Sequence, residues 1–92
     1  MTINIHYRGQ LANAMGVDSE ELDIVPPSSI SSILQGLAEK GGGAFADIAL
    51  DADGVPRRTL LVAVDGEQVT DFSMEVSANV NEITLIPPIA GG

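Results

Sequence analysis

Glu82-Ile83-Thr84-Leu85-Ile86-Pro87-Pro88-Ile89-Ala90-Gly91-Gly92 closes the sequence. Ile83 to Ile86 reads as a strand rich in β-branched and aliphatic residues. Pro87 and Pro88 have no backbone N–H to give to a sheet ladder, so the pair takes the chain out of the sheet. Gly91 and Gly92 carry no side chain and make a thin, flexible stem for the terminal carboxylate. A glycine pair at a chain end is by itself a weak signal, because terminal residues often fray. It gains weight here by following a hydrophobic strand and a Pro-Pro exit with no polar spacer. Read this way, the segment presents its own carboxylate to the active site of another protein.

The rest of the chain places that last strand. Ile3, Ile5 and Tyr7 alternate with Asn4, His6 and Arg8, which predicts a first strand with one buried face. Gly9 opens a connection through residue 19, and Glu20 to Val25 returns as a second strand, with Leu22 and Ile24 on its apolar side. Pro26-Pro27 ends it, and Ser28-Ser29 supplies N-cap candidates for a helix. Ile30, Ile33, Leu34, Leu37 and Ala38 form one apolar stripe at helical spacing. Lys40 favours the negative end of that helix, and Gly41-Gly42-Gly43 is the expected stop. Gly36, inside the helix, reads as a close-packing position or a tolerated one. Ala44 to Leu50 predicts a short helical turn tucking Phe45, Ile48 and Leu50 under the following loop. Thr59 to Val64 predicts a central strand, Asp65-Gly66 a tight turn and Glu67 to Val69 a short return. Residues 70 to 81 read as irregular.

The order is strand, strand, helix, strand, short strand, strand. A helix after a hairpin must lay its stripe across one face of a single mixed sheet, giving a two-layer α+β fold. With the last strand parallel to the first near the sheet centre, the arrangement is a β-grasp. One domain over residues 1–92 is expected, with 87–92 as a flexible C-terminal tail.

Composition narrows the function. The net charge is −9, from 13 acidic and 4 basic residues, which disfavours nucleic acid and anionic membrane surfaces as partners. It favours a positively charged protein partner. There is no cysteine, hence no disulfide, thiolate metal site or cysteine nucleophile. No apolar run is long enough to span a bilayer and no signal peptide is visible, so a cytoplasmic location is expected.

The order of elements, the Val64-Asp65-Gly66-Glu67 turn and above all Leu85 to Gly92 resemble the ThiS/MoaD family of ubiquitin-like sulfur carriers. Within it they are most similar to the small subunits of molybdopterin synthase. The resemblance covers the whole chain, but only its C-terminal block is specific. It implies that a ubiquitin-activating-type adenylyltransferase, using ATP and magnesium, converts the Gly92 carboxylate into an acyl-adenylate. A persulfide donor then turns this into a thiocarboxylate, whose sulfur passes to the synthase large subunit or another acceptor enzyme. Gly91 supplies the narrow stem, and Pro87, Pro88, Ile89 and Ala90 match positions that fix the exit and touch the partner. No bound cofactor is implied, and the chain is a carrier rather than an enzyme by itself. Asn79-Val80-Asn81-Glu82 and an aliphatic last strand depart from the Asp-Gly-Asp-Glu and aromatic residues of many molybdopterin synthase subunits. Carriers for thiamin, cysteine or tRNA thiolation, modifiers conjugated to lysines, and a plain interaction domain with inert glycines stay open.

Other residues have ordinary readings. His6 is the single histidine and, without cysteine, reads as surface rather than ligand or base. Ser28, Ser29, Ser31 and Ser32 read as caps and helix surface, since no histidine is placed to activate them. Asp51-Ala52-Asp53-Gly54 reads as an acidic turn, its glycine too early for a calcium loop. Asp47 joins this acidic loop, and Arg57-Arg58 is a surface basic pair. Leu61 and Ala63 are either core or part of an exposed partner face.

Overall fold

The computed structural model describes residues 2–25, 28–77 and 79–87. Along the chain run β1 (Thr2–Tyr7), α1 (Gln10–Met15), β2 (Ser19–Asp23), β3 (Ser28–Ser29), α2 (Ile30–Ala49), β4 (Leu61–Val64), β5 (Glu67–Val69), β6 (Glu75–Val76) and β7 (Glu82–Ile86). Five strands form one sheet in the order β2-β1-β7-β4-β5, and β3 pairs with β6 in a small second one. β7 lies parallel to β1, with Ile5 beside Ile83, and antiparallel to β4, with Val62 beside Leu85. The predicted α+β fold is therefore found, with its last strand at the sheet centre.

Alternation decides which face is covered. Ile3, Ile5, Tyr7, Val62, Ile83 and Leu85 are buried on the helix side, against Ile30, Ile33, Leu34 and Leu37 of the predicted stripe. The first-turn N–H groups of α2 would otherwise lack partners. Ile30 N donates to Met74 O, Ser31 N to Phe72 O, and Ser32 N to the Ser29 hydroxyl at 3.0 Å. Ser29 is thus the N-cap, as its residue type predicts. Tyr7 Oη donates to Glu20 Oε2 at 2.8 Å, and Lys40 Nζ donates to the other carboxylate oxygen. This cluster ties β1, β2 and α2 together. Burial raises the Tyr7 phenol well above its ordinary value, and its bond to Glu20 adds to the rise. Burial also pushes the Glu20 carboxyl up, but the hydrogen bonds from Lys40 and Tyr7 outweigh it and hold the group below its ordinary value.

Several expectations are corrected. The connection after Gly9 contains a helix, α1, whose one buried residue is Leu11. β2 ends at Asp23 rather than Val25, and Val25 is 83% exposed. The glycine run breaks α2 as expected, but at one residue only. Only Gly42 leaves helical geometry (φ 68°, ψ −156°), so the helix kinks there and resumes to Ala49. Phe45 is fully buried beyond the kink, and Ile48 is partly buried, as the predicted helical turn requires. Lys40 stands just before that break and donates to Glu20. Among the described residues from 70 to 81, all but those of β6 are irregular.

The close-packing glycine is Gly41, not Gly36. A Cβ on Gly41 would overlap the Met15 side chain and come within 2.9 Å of Phe45 Cβ, whereas one on Gly36 would meet nothing within 4 Å. Gly36→Ala is expected to stabilise the fold by up to ~1 kcal/mol through helix propensity. Gly41→Ala is expected to destabilise it by about 1–3 kcal/mol through overpacking of α1 on α2. Denaturant melts of both variants check this contrast.

Candidate functional site

The site is the end of β7, where the strand hands over to the C-terminal segment. Of the predicted tail, only Pro87 lies among the described residues. Pro88, Ile89, Ala90, Gly91 and Gly92, which carry the expected chemistry and partner contacts, lie outside them. What the structure describes is the base from which they leave.

Both ends of β7 are fastened. At its start, Asp65 Oδ1 accepts from Asn81 N at 3.0 Å and from Glu82 N at 2.9 Å, while Asp65 N donates to Glu82 O at 3.0 Å. Asp65 has φ 49° in the predicted tight turn, a conformation aspartate tolerates better than most residues. The sequence identified the turn, but not that its carboxylate latches a strand 16 residues away. At the other end, Arg8 N donates to Leu85 O at 3.1 Å. Pro87 is half-buried and rests on Gly9, where an added Cβ would lie 3.5 Å from Pro87 Cγ. Gly9 itself holds φ 51° and ψ −126°, a region open essentially to glycine alone. The tail thus starts from a fixed support.

Beside that support the open face of the sheet is apolar. Leu61 and Ile86 are partners across β4 and β7, and they are 41% and 37% exposed. Ala63 and Thr84, the next outward pair, are half-buried. Leu61 therefore belongs to the exposed face and not to the core, the second of the two readings of its sequence. Two of the four basic residues stand at this end. Arg8 follows β1 next to the exit, and Arg58 lines a depression with Leu60, Leu61 and Phe72. Arg57 instead donates to Asp47 O at 3.3 Å.

The remaining candidates take structural roles. His6 Nε2 lies 3.2 Å from Glu82 Oε2 on the open face. Asp51 Oδ1 accepts from Asp53 N and Val55 N at 2.9 and 3.0 Å, the geometry of an acidic turn. Among the described residues no group of three histidine, aspartate or glutamate side chains converges on a metal-sized site. Among them, too, no helix is long and apolar enough to cross a membrane.

A main helix crossing a mixed sheet, with the last strand parallel to the first, defines the ubiquitin-like β-grasp class. The family model of ThiS matches residues 5–92, and the chain belongs to the ThiS family. No curated protein sequence matches. The fold is similar to SAMP1 from Haloferax volcanii, with a TM-score of 0.84 and 21% identity over 100% of both chains. It is similar to a putative molybdopterin converting factor subunit 1 from Pyrococcus furiosus, at 0.75 and 15%, covering 97% of this chain and 99% of that one. CysO from Mycobacterium tuberculosis gives 0.67 and 13%, covering 95% and 99%.

Removing the latch tests its weight. Asp65→Ala loses two charge-assisted hydrogen bonds and puts alanine at positive φ, an expected cost of about 2 kcal/mol. Asp65→Asn keeps one acceptor oxygen and should cost less than half of that. Amide hydrogen exchange should show the loss first at Asn81 and Glu82.

Proposed function

We propose that this chain is a sulfur carrier that works through the carboxylate of Gly92. The observation that supports this reading most is the ThiS family match, which runs through the C-terminal segment to residue 92. The fastened base of β7 is consistent with it, because a stem that must enter another protein's active site gains from a rigid origin.

A carboxylate is a poor electrophile, so the chemistry starts with activation. An oxygen of the Gly92 carboxylate attacks the α-phosphorus of ATP, held with magnesium by an adenylyltransferase, and pyrophosphate leaves. The terminal sulfur of a persulfide donor then attacks the acyl carbon and AMP leaves. A thiol reduces the resulting acyl disulfide, and the thiocarboxylate remains. Apart from that carboxylate oxygen, the acid, the base and the sulfur nucleophile belong to the partners. This chain supplies a glycine stem narrow enough for a closed channel, Pro87 and Pro88 to direct it, and Ile89 and Ala90 to touch the channel wall. Leu61, Ile86 and the flanking Arg8 and Arg58 give the partner a surface to grip next to the exit.

Within this role the favoured pathway is molybdopterin synthesis, with this chain as the synthase small subunit and the large subunit as sulfur acceptor. Its support is the C-terminal block of sequence together with the similarity in fold to the Pyrococcus protein. A second reading, conjugation of Gly92 to lysines, draws support from the similarity in fold to two small archaeal modifier proteins. The CysO of Amycolatopsis orientalis, also similar in fold, forms a complex with BexX, and a partner-dependent role of that kind fits this chain. A cytoplasmic location would suit either role.

Adding one alanine after Gly92 is the direct test. Complete loss of sulfur transfer and of conjugation is expected, with the melting temperature unchanged. A cellular role that survives the added alanine would identify a plain interaction domain. Lysine-linked conjugates in cell extracts would single out the modifier reading.

A further inference from the structure

β2 is an edge strand, paired with β1 on one side only in the five-stranded sheet. Its outer margin faces a groove lined by Leu22, Ile24 and Val25 of the strand side and Ser32, Ile33 and Gly36 of α2. Gly36 opens the groove, since nothing lies within 4 Å of where its Cβ would be. The Lys40–Glu20 ion pair bridges α2 to β2 one helical turn further on. The volume of about 220 Å³ is below the roughly 300–1,000 Å³ of small-molecule sites.

The backbone of β2 offers more than an apolar trough. Tyr7 N donates to Asp18 O, which sets the phase of the antiparallel ladder. With Ile5 opposite Glu20 and Ile3 opposite Leu22, those residues bond inward, and the N–H and C=O groups of Ser19 and Glu21 point to the open edge. An unpaired edge beside an apolar groove is the geometry that accepts an extended peptide as an added strand. Charge selects among such peptides. Asp18, Glu20, Glu21 and Asp23 put four carboxylates within six residues, and Lys40 pairs with Glu20. A second copy of this chain, docking β2 to β2, would set those carboxylates against one another.

We propose that the β2 edge and the β2–α2 groove bind an extended segment of a partner protein by strand addition. The segment has aliphatic side chains at alternate positions and lysine or arginine at its ends. Its main chain pairs with Ser19 and Glu21, its aliphatic side chains enter over Gly36, and its cations meet Glu21 and Asp18. The site lies across β1 from β7 and does not depend on the sulfur-carrier reading.

The test is an amide chemical-shift titration of the full chain. The probe is a synthetic peptide in which isoleucine and threonine alternate between paired lysines; the control has paired glutamates instead. Saturable shifts confined to β2 and the first half of α2 are expected, with exchange protection gained at Ser19 and Glu21. The glutamate-flanked peptide should bind at least about tenfold more weakly, as should Glu21→Lys with the lysine peptide. Gly36→Leu fills the groove while raising helix propensity, so the variant should stay folded, lose at least about tenfold in affinity and melt no lower. No saturable shift at roughly millimolar peptide would overturn the proposal. So would shifts centred on Leu61 and Ile86, or undiminished binding to a folded Gly36→Leu variant.

Discussion

The structure depends on the parallel pairing of β1 with β7. It joins the two ends of the sequence, Ile5 beside Ile83, so nearly the whole chain is a loop that must close before the sheet exists. Closing a loop of that length costs entropy that only burial can offset. The offset comes from Ile3, Ile5, Tyr7, Ile83 and Leu85, all buried under α2. Because β4 then adds on the other side, the last strand is held from both flanks. In the proposed role, the end offered to an enzyme thereby leaves from a strand paired on both sides.

That constraint also explains the division of labour around the exit. Asp65 reaches from the β4–β5 turn to the start of β7, and Gly9 allows Pro87 to settle at its end. The apolar pair Leu61 and Ile86 stands beside the exit, with Arg8 and Arg58 near it, in a chain that is otherwise strongly acidic. The β2 edge, with its carboxylates, lies on the far side of β1. Two surfaces of opposite character therefore flank the same sheet.

The sequence revealed what short-range physics controls. Alternation marked β1, helical spacing marked the stripe of α2, Asp-Gly marked the turn, and serine marked the cap. The misreadings share another cause: they depend on contacts distant in sequence. Gly41-Gly42-Gly43 reads as a helix stop, and the break falls on Gly42 alone; that Gly41 is small to seat Met15 and Phe45 was not legible. α1 is six residues with one buried side chain, too short for a periodic signal; its flanking Gly9 and Gly16 were the available hint. The carboxylate of Asp65 reads as turn chemistry until the strand it latches is in place. At the site, the strand and its proline exit were legible, while the exposure of Leu61 became evident only from which face α2 covers.

The most direct measurement is the intact mass of the protein after incubation with a cognate adenylyltransferase, ATP, magnesium and a persulfide donor. A gain equal to one sulfur replacing one oxygen, localised by fragmentation to Gly92, is the expected result. No adenylate and no sulfur, with the same enzyme active on its own carrier, would contradict the role proposed for the C-terminal glycine.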